Sequence, residues 1–152
     1  MSYVDAVLQP GEKVVHRGHL HWVLYWQALA LAIVAVVLLL VTPPQDGLRA
    51  TLRIAAGVAG VLAFLAAVKA GYDQWITEVA VTDRRVIYKR GLIRRVTAEM
   101  HIDKVESVSV NQSILGRLLD YGTIDMRGTG GGIEDLRTMA DPIAFRNAIT
   151  AR

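Results

Sequence analysis

Two long apolar stretches constrain this chain more than anything else in it. Residues Trp22 to Val41 contain one strongly polar side chain, Gln27, and Ala28 to Val41 is unbroken apolar sequence. A helix rises 1.5 Å per residue, so about 20 residues cover the roughly 30 Å hydrocarbon core of a bilayer. Buried helices of soluble proteins are usually short and keep a polar face; this stretch has none, and a first membrane span over 22–41 is predicted. A second apolar stretch, 48–68, is interrupted near its start by Arg49 and Arg53 and bounded at its end by Lys69. Arginines near the end of a span can snorkel to the headgroups, whereas at its centre each would cost about 3 kcal/mol. Between the stretches, Thr42-Pro43-Pro44-Gln45-Asp46-Gly47 stops a helix and turns the chain. The sequence therefore divides into an N-terminal segment (1–21), a transmembrane helical hairpin (22–68) and a following domain (69–152). A cleaved signal peptide fits poorly, because the apolar run begins late, lacks a small-residue cleavage pattern and is followed by a second span.

The hydrophobic fraction of 53% is concentrated in that hairpin, and the rest has the mixed texture of a soluble domain. Lys13 and Arg17 precede the first span and Lys69 follows the second, with more basic residues from Arg84 onward. This bias predicts a multi-pass protein of the cell (inner) membrane with both termini cytoplasmic. Trp22, Tyr25 and Trp26, with Tyr72 and Trp75, would form an interfacial aromatic belt on the same side. The net charge of +3 suits an anionic partner, a role that membrane lipid fills without nucleic acid. The absence of cysteine excludes disulfides, thiolate-held clusters and a cysteine nucleophile.

On the second span Ala55, Ala59, Ala63 and Ala67 recur every four residues, with Ala56 and Gly60 beside them. Small side chains at this spacing let helix backbones approach closely in lipid, either between the two spans or in a homo-oligomer.

From Glu78 the pattern changes to alternation. Val79 and Val81, then Val86 and Tyr88, predict a β-hairpin turning at Asp83-Arg84. Further strands are predicted over 93–100 and 102–110, the latter with a β-bulge near Glu106-Ser107 that restores its phase. Ser113 is a candidate cap for a short helix with Ile114, Leu115, Leu118 and Leu119 on one face. Strands over 122–127 and 133–138 follow, and Asp141-Pro142 opens a terminal helix with Phe145, Ala148 and Ile149 on one face.

The segments Leu8-Gln9-Pro10-Gly11-Glu12-Lys13, Val81-Thr82-Asp83-Arg84-Arg85-Val86-Ile87, Ser113-Ile114-Leu115-Gly116-Arg117-Leu118-Leu119 and Arg127-Gly128-Thr129-Gly130-Gly131 resemble the bacterial pleckstrin-homology-like membrane proteins. The resemblance covers nearly the whole chain and implies an α+β fold: the transmembrane hairpin, then an antiparallel β barrel or sandwich of seven strands closed by a C-terminal helix. It implies no particular ligand, since fold and function are separable.

Arg84, Arg85, Lys89, Arg90, Arg94 and Arg95 form a run of six cations with no intervening carboxylate. Near an anionic leaflet each is worth about 1 kcal/mol, so the run is the candidate lipid- or partner-binding site; its bland use is as a topology signal. His16, His19 and His21 lack the fourth ligand of a tetrahedral zinc site. His101 and Asp103 come with no recognisable nucleophile. The glycines of 128–132 lack the lysine and hydroxyl residue of a phosphate loop. The cations also lack interleaved aromatics, which argues against nucleic acid. The sequence thus predicts a non-enzymatic, membrane-anchored binding module with no cofactor or metal, contacting anionic lipid or a protein partner; the alternative is a structural subunit or adaptor of a membrane assembly.

Overall fold

The computed structural model describes residues 3–41, 46–91, 96–129 and 131–151. In chain order the elements are α1 (Tyr3–Val7), β1 (Val14–Gly18), a 3-10 turn (Trp22–Tyr25), α2 (Trp26–Leu40) and α3 (Asp46–Ile76). They continue with β2 (Glu78–Thr82), β3 (Arg85–Arg90), β4 (Val96–His101), a second 3-10 turn (Ile102–Lys104), β5 (Val105–Asn111), α4 (Ile114–Leu118), β6 (Tyr121–Gly128), β7 (Gly131–Ala140) and α5 (Pro142–Thr150). Two compact units result: Trp22–Asp73, and Met1–His21 together with Gln74–Arg152.

In the helical unit, Trp22–Leu40 and Gly47–Ile76 are long and apolar enough to cross a membrane, by length and composition. Their packing inverts that of a soluble core. Leu29, Ile33 and Leu40 of α2 and Ile54, Val61 and Phe64 of α3 are exposed, while Ala28, Ala35, Ala56, Ala59, Ala63 and Ala70 are buried. The predicted alanine stripe is only partly realised: Ala55 is exposed and Ala67 half-buried. A Cβ placed on Gly60 would meet no atom within 4 Å. A strict four-residue step drifts about 40° per step around a helix of 3.6 residues per turn. The mixed three- and four-residue steps through Ala56, Ala59 and Ala63 hold one face instead. Most of the hairpin tip, residues 42–45, lies outside the described residues, and α3 continues past Val68 to Ile76.

The second unit contains two antiparallel sheets, β1-β2-β3-β4 and β5-β6-β7. Its composition differs from the predicted boundaries, because residues 3–21 are part of it. β1 pairs with β2, Val14 opposite Thr82 and Gly18 opposite Val79. His16-Arg17-Gly18 carries little strand propensity, so this edge strand gives no alternating apolar signal. Gly18 is required by packing: a Cβ there would lie 2.5 Å from the Met139 methyl and 3.0 Å from the Phe145 ring. An isolated bridge, Leu20 to Met139, links the chain to the second sheet. Among the described residues strand pairing does not continue around the unit, so the barrel is not closed. Beyond Val105 and Gly128 the β5–β6 pairing is extended by the Thr129 N–H, which donates to the Lys104 carbonyl at 3.3 Å.

The main core gathers Val79 and Val81 (β2), Val86 (β3), Ile124 and Met126 (β6), Ile133, Leu136 and Met139 (β7), and Phe145 and Ile149 (α5). Burying such a side chain is worth about 1.5–3 kcal/mol, so these ten set the fold. The terminal helix forms as predicted: Asp141 caps it by accepting from the Ala144 N–H at 3.2 Å, with proline in the first turn. Phe145 is wholly buried. The bulge expected near Glu106-Ser107 occurs between Val105 and Ser107. Residues 93–95 of the predicted 93–100 strand lie outside the described residues; β4 is described from Val96.

A second, smaller core explains why β2 is buried almost throughout. Ala80 and Ile87 point away from the main core and pack under Val4, with Tyr3, Val7 and Val14 around them. The short helix α1 is thus a lid on the outer face of the four-stranded sheet.

Candidate functional site

The N-terminal turn and the β2–β3 turn lock into each other. Glu12 N–H donates to the Gln9 carbonyl at 2.9 Å, and Gly11 sits at φ +82° behind Pro10, the arrangement of a type II turn. The turn delivers the Glu12 carboxylate to the Gln9 N–H (2.8 Å) and to Arg85, whose Nε and Nη2 each donate to it at 3.0 Å. Arg85 Nη1 donates to Glu99 at 2.7 Å, and Nη2 also reaches the Val7 carbonyl at 2.8 Å. Thr82 Oγ1 donates to Glu12 at 2.7 Å and accepts from the Arg84 and Arg85 N–H groups. Asp83 and Lys13 exchange two further bonds of 3.0 Å.

Burial alone would raise the Glu12 carboxyl pKa. The bonds from Arg85, the Gln9 backbone and Thr82, with the Arg85 charge, overcome it and bring the pKa from 4.5 down to about 2. Arg85 is held firmly protonated, foremost by its bonds to Glu12. With both charges paired and every lone pair in use, this is a staple rather than a reaction centre.

The network redistributes the six candidate cations. Arg85 is buried and neutralised by two carboxylates, so it is not a surface contact. Lys89 is 3.2 Å from Glu78, with its ammonium 5.6 Å from the centroid of the Tyr3 ring. Glu78 also accepts from the Val4 N–H, so this pair holds down the α1 lid. Strand alternation puts Arg85, Ile87 and Lys89 on that lidded face. Arg84 and Arg90 are exposed; Arg94 and Arg95 lie outside the described residues. The four described members of the run the sequence presents as one patch are divided between buried or lid-bound positions and the surface.

Another part of the domain surrounds the point where the chain leaves it for the first apolar helix. His21 N–H donates to the Thr138 carbonyl at 2.7 Å, and Ala140 N–H donates to the His19 carbonyl at 3.0 Å. The His21 ring stacks on Tyr121 (5.3 Å between centroids) and hydrogen-bonds the Leu119 backbone. Burial lowers its pKa, against the opposing effects of that bond and of Asp120. Thr138 has φ +59°, strained for a β-branched residue, at an irregularity where β7 turns its carbonyl toward His21. Beside it is a cleft of about 240 Å³ lined by Asn111, Ser113, Tyr121, Gly122, Thr123 and Thr138, hydroxyl- and amide-rich but without a charged side chain. The short helix α4 adjoins it, capped by Ser113, which accepts the Gly116 N–H at 3.0 Å. Its predicted apolar face is present but not packed inward: Ile114 is 88%, Leu115 61% and Leu118 79% exposed.

A family model described as a bacterial PH domain matches residues 20–152. The chain belongs to that family. No curated protein and no solved structure matches it. In this bacterial PH domain the strand β1 and the staple residue Glu12 precede the matched region, yet they complete the same compact unit.

His16 packs edge-on against Phe145, 5.8 Å between centroids. His101 lies opposite Arg85 in the β3–β4 ladder, and Asp103 is in a 3-10 turn. Among the described residues no three His, Asp or Glu side chains gather as a metal site would need. Gly128 allows the close approach of the Lys104 carbonyl, and Gly116 that of the Tyr121 carbonyl. Sequence reasoning missed Glu12 as a partner of Arg85. The available signal was the co-occurrence of a Pro-Gly turn ending in a carboxylate with an arginine following Thr-Asp.

Proposed function

We propose that this bacterial PH domain protein is a non-enzymatic binding module anchored in the cell membrane by α2 and α3, both termini cytoplasmic, contacting anionic lipid through its exposed basic residues. The observation that carries the anchoring is the inverted packing of the helical unit, large apolar side chains outward and alanines inward, which water does not tolerate over two helices of this length. Lysine and arginine placement supports the orientation, and Arg84 and Arg90 are exposed at the surface.

The test uses the full chain in nanodiscs of mixed neutral and anionic lipid, measuring enrichment of anionic lipid around it. Each exposed cation contributes about 1 kcal/mol, so Arg84→Glu with Arg90→Glu removes at least about 2 kcal/mol, weakens association with anionic lipid about 30-fold and brings the enrichment close to the bulk composition. Enrichment that is absent, or indifferent to the reversal, defeats the lipid reading. Cross-linking that captures one dominant heterologous protein would put the adaptor role in its place.

A further inference from the structure

We infer that α4 is a membrane-inserting wedge: Ile114, Leu115 and Leu118, with Leu119 at its edge, enter the headgroup–acyl boundary of the bilayer that holds α2 and α3. The inference rests on the proposed anchoring and goes beyond it, since it assigns a lipid contact to a surface that neither the spans nor the basic run includes.

Three observations carry it. First, the helix has its apolar side outward. Ile114, Leu115, Leu118 and Leu119 are 88%, 61%, 79% and 37% exposed, and at spacings of one and four residues they form one continuous ridge. Isolated exposed leucines are ordinary; four contiguous aliphatic side chains on one helical turn mark a contact surface. The fold spends specific features on presenting them: the Ser113 cap, and Gly116, where a Cβ would lie 2.6 Å from the Tyr121 carbonyl.

Second, the ridge is at the end of the domain from which the chain departs. The His21 ring is bonded to the Leu119 backbone and stacked on Tyr121, and residue 22 begins the first apolar stretch. The anchor therefore leaves from a residue that touches the base of α4. Histidine and tyrosine with polar edges and apolar faces suit that depth.

Third, the size of the ridge selects the occupant. Four side chains on a single turn fall well short of the roughly 800 Å² per partner that a stable protein interface needs. A bilayer makes no such demand, because the spans already hold the domain there and the ridge adds only its own transfer. Arg117, in the last turn, can snorkel to the phosphates.

The chain has no cysteine, so a single introduced one labels one site. Leu118→Cys, Ile114→Cys and Val61→Cys each carry an environment-sensitive fluorophore in the full-length protein, reconstituted in phosphatidylcholine–phosphatidylglycerol vesicles with or without nitroxide-labelled lipid. Leu118 and Ile114 are largely exposed, so the label does not enter the core; two probes guard against a local defect. The expected result is blue-shifted emission at 114 and 118, and quenching by nitroxide lipid at least half as strong as at 61. A probe at 118 that iodide in the water quenches and nitroxide lipid does not, with 61 still quenched by lipid, overturns the wedge and leaves the anchor standing. A probe at 118 shielded from both quenchers is covered by protein, and also overturns it. If nitroxide lipid does not quench the probe at 61, the anchoring fails and the wedge with it.

Discussion

Replacing Glu12 by glutamine keeps the side chain's shape and a hydrogen-bonding group but removes the charge that faces Arg85. The Glu12 carboxyl is depressed from 4.5 to about 2, and its side chain is wholly inaccessible while Arg85 is 10% exposed. At 1.36 kcal/mol per pKa unit the charged form is favoured by about 3 kcal/mol in the folded state. Arg85→Met is harsher, since it strands a buried carboxylate, a cost of about 3–5 kcal/mol. The unit that contains the pair has roughly 100 residues. Domains of that size lose about 4–8 °C of Tm per kcal/mol, so Glu12→Gln should lower Tm by more than about 10 °C. The assay is thermal unfolding of the full chain in mild detergent, followed by circular dichroism, with hydrogen exchange to locate the effect. Exchange should accelerate first in α1, β1 and the β2–β3 hairpin, which the staple joins. The double variant should cost less than the sum of the two single ones, because each removes the same interaction. A Tm change below about 3 °C for Glu12→Gln, or additive costs, would refute the reasoning.

The same pair sets an acid limit. Because the folded pKa of Glu12 lies below its unfolded value, its contribution is complete above pH 4.5 and disappears as pH falls toward 2; acid titration should show this loss in the wild type and a flatter profile in Glu12→Gln. Gly18→Ala drives a methyl against Met139 and the rigid Phe145 ring, an overpacking cost of about 1–3 kcal/mol readable as a lower Tm. A fragment beginning at Tyr72 lacks β1 and Glu12, and should show neither a cooperative melt nor dispersed amide resonances.

The local signals in the sequence were strong where one element's own residues decide its form. Asp141-Pro142, Ser113 and the alternation of Val79, Val81 and Val86 each encode a cap or a face, and each appears in the structure. Illegible were the features that depend on residues far apart in the chain. β1 is short, ends in His16-Arg17-Gly18 and carries no alternating apolar pattern, so what fixes it as a strand is β2, sixty residues later, which offers it a partner. Arg85 resembles its neighbour Arg84 until Glu12 is placed beside it, and only the folded chain does that. The sequence shows the ridge of α4 as an apolar face, but periodicity does not say whether such a face meets a core or the outside. The family resemblance supplied the PH-type organisation, which the family match supports, though without continuous strand pairing around a barrel.

Gln74 Nε2 donates to the Leu20 carbonyl at 3.3 Å, so both ends of the domain interrupted by residues 22–73 lie within a short linker's reach. Lysates of cells producing the full chain, and a variant with 22–73 replaced by a few glycines and serines, can be ultracentrifuged after washing in alkaline carbonate without detergent. The full chain should stay in the membrane pellet until detergent is added, while the variant should be recovered from the supernatant as a folded, β-rich domain. A full chain found in the supernatant would contradict the account.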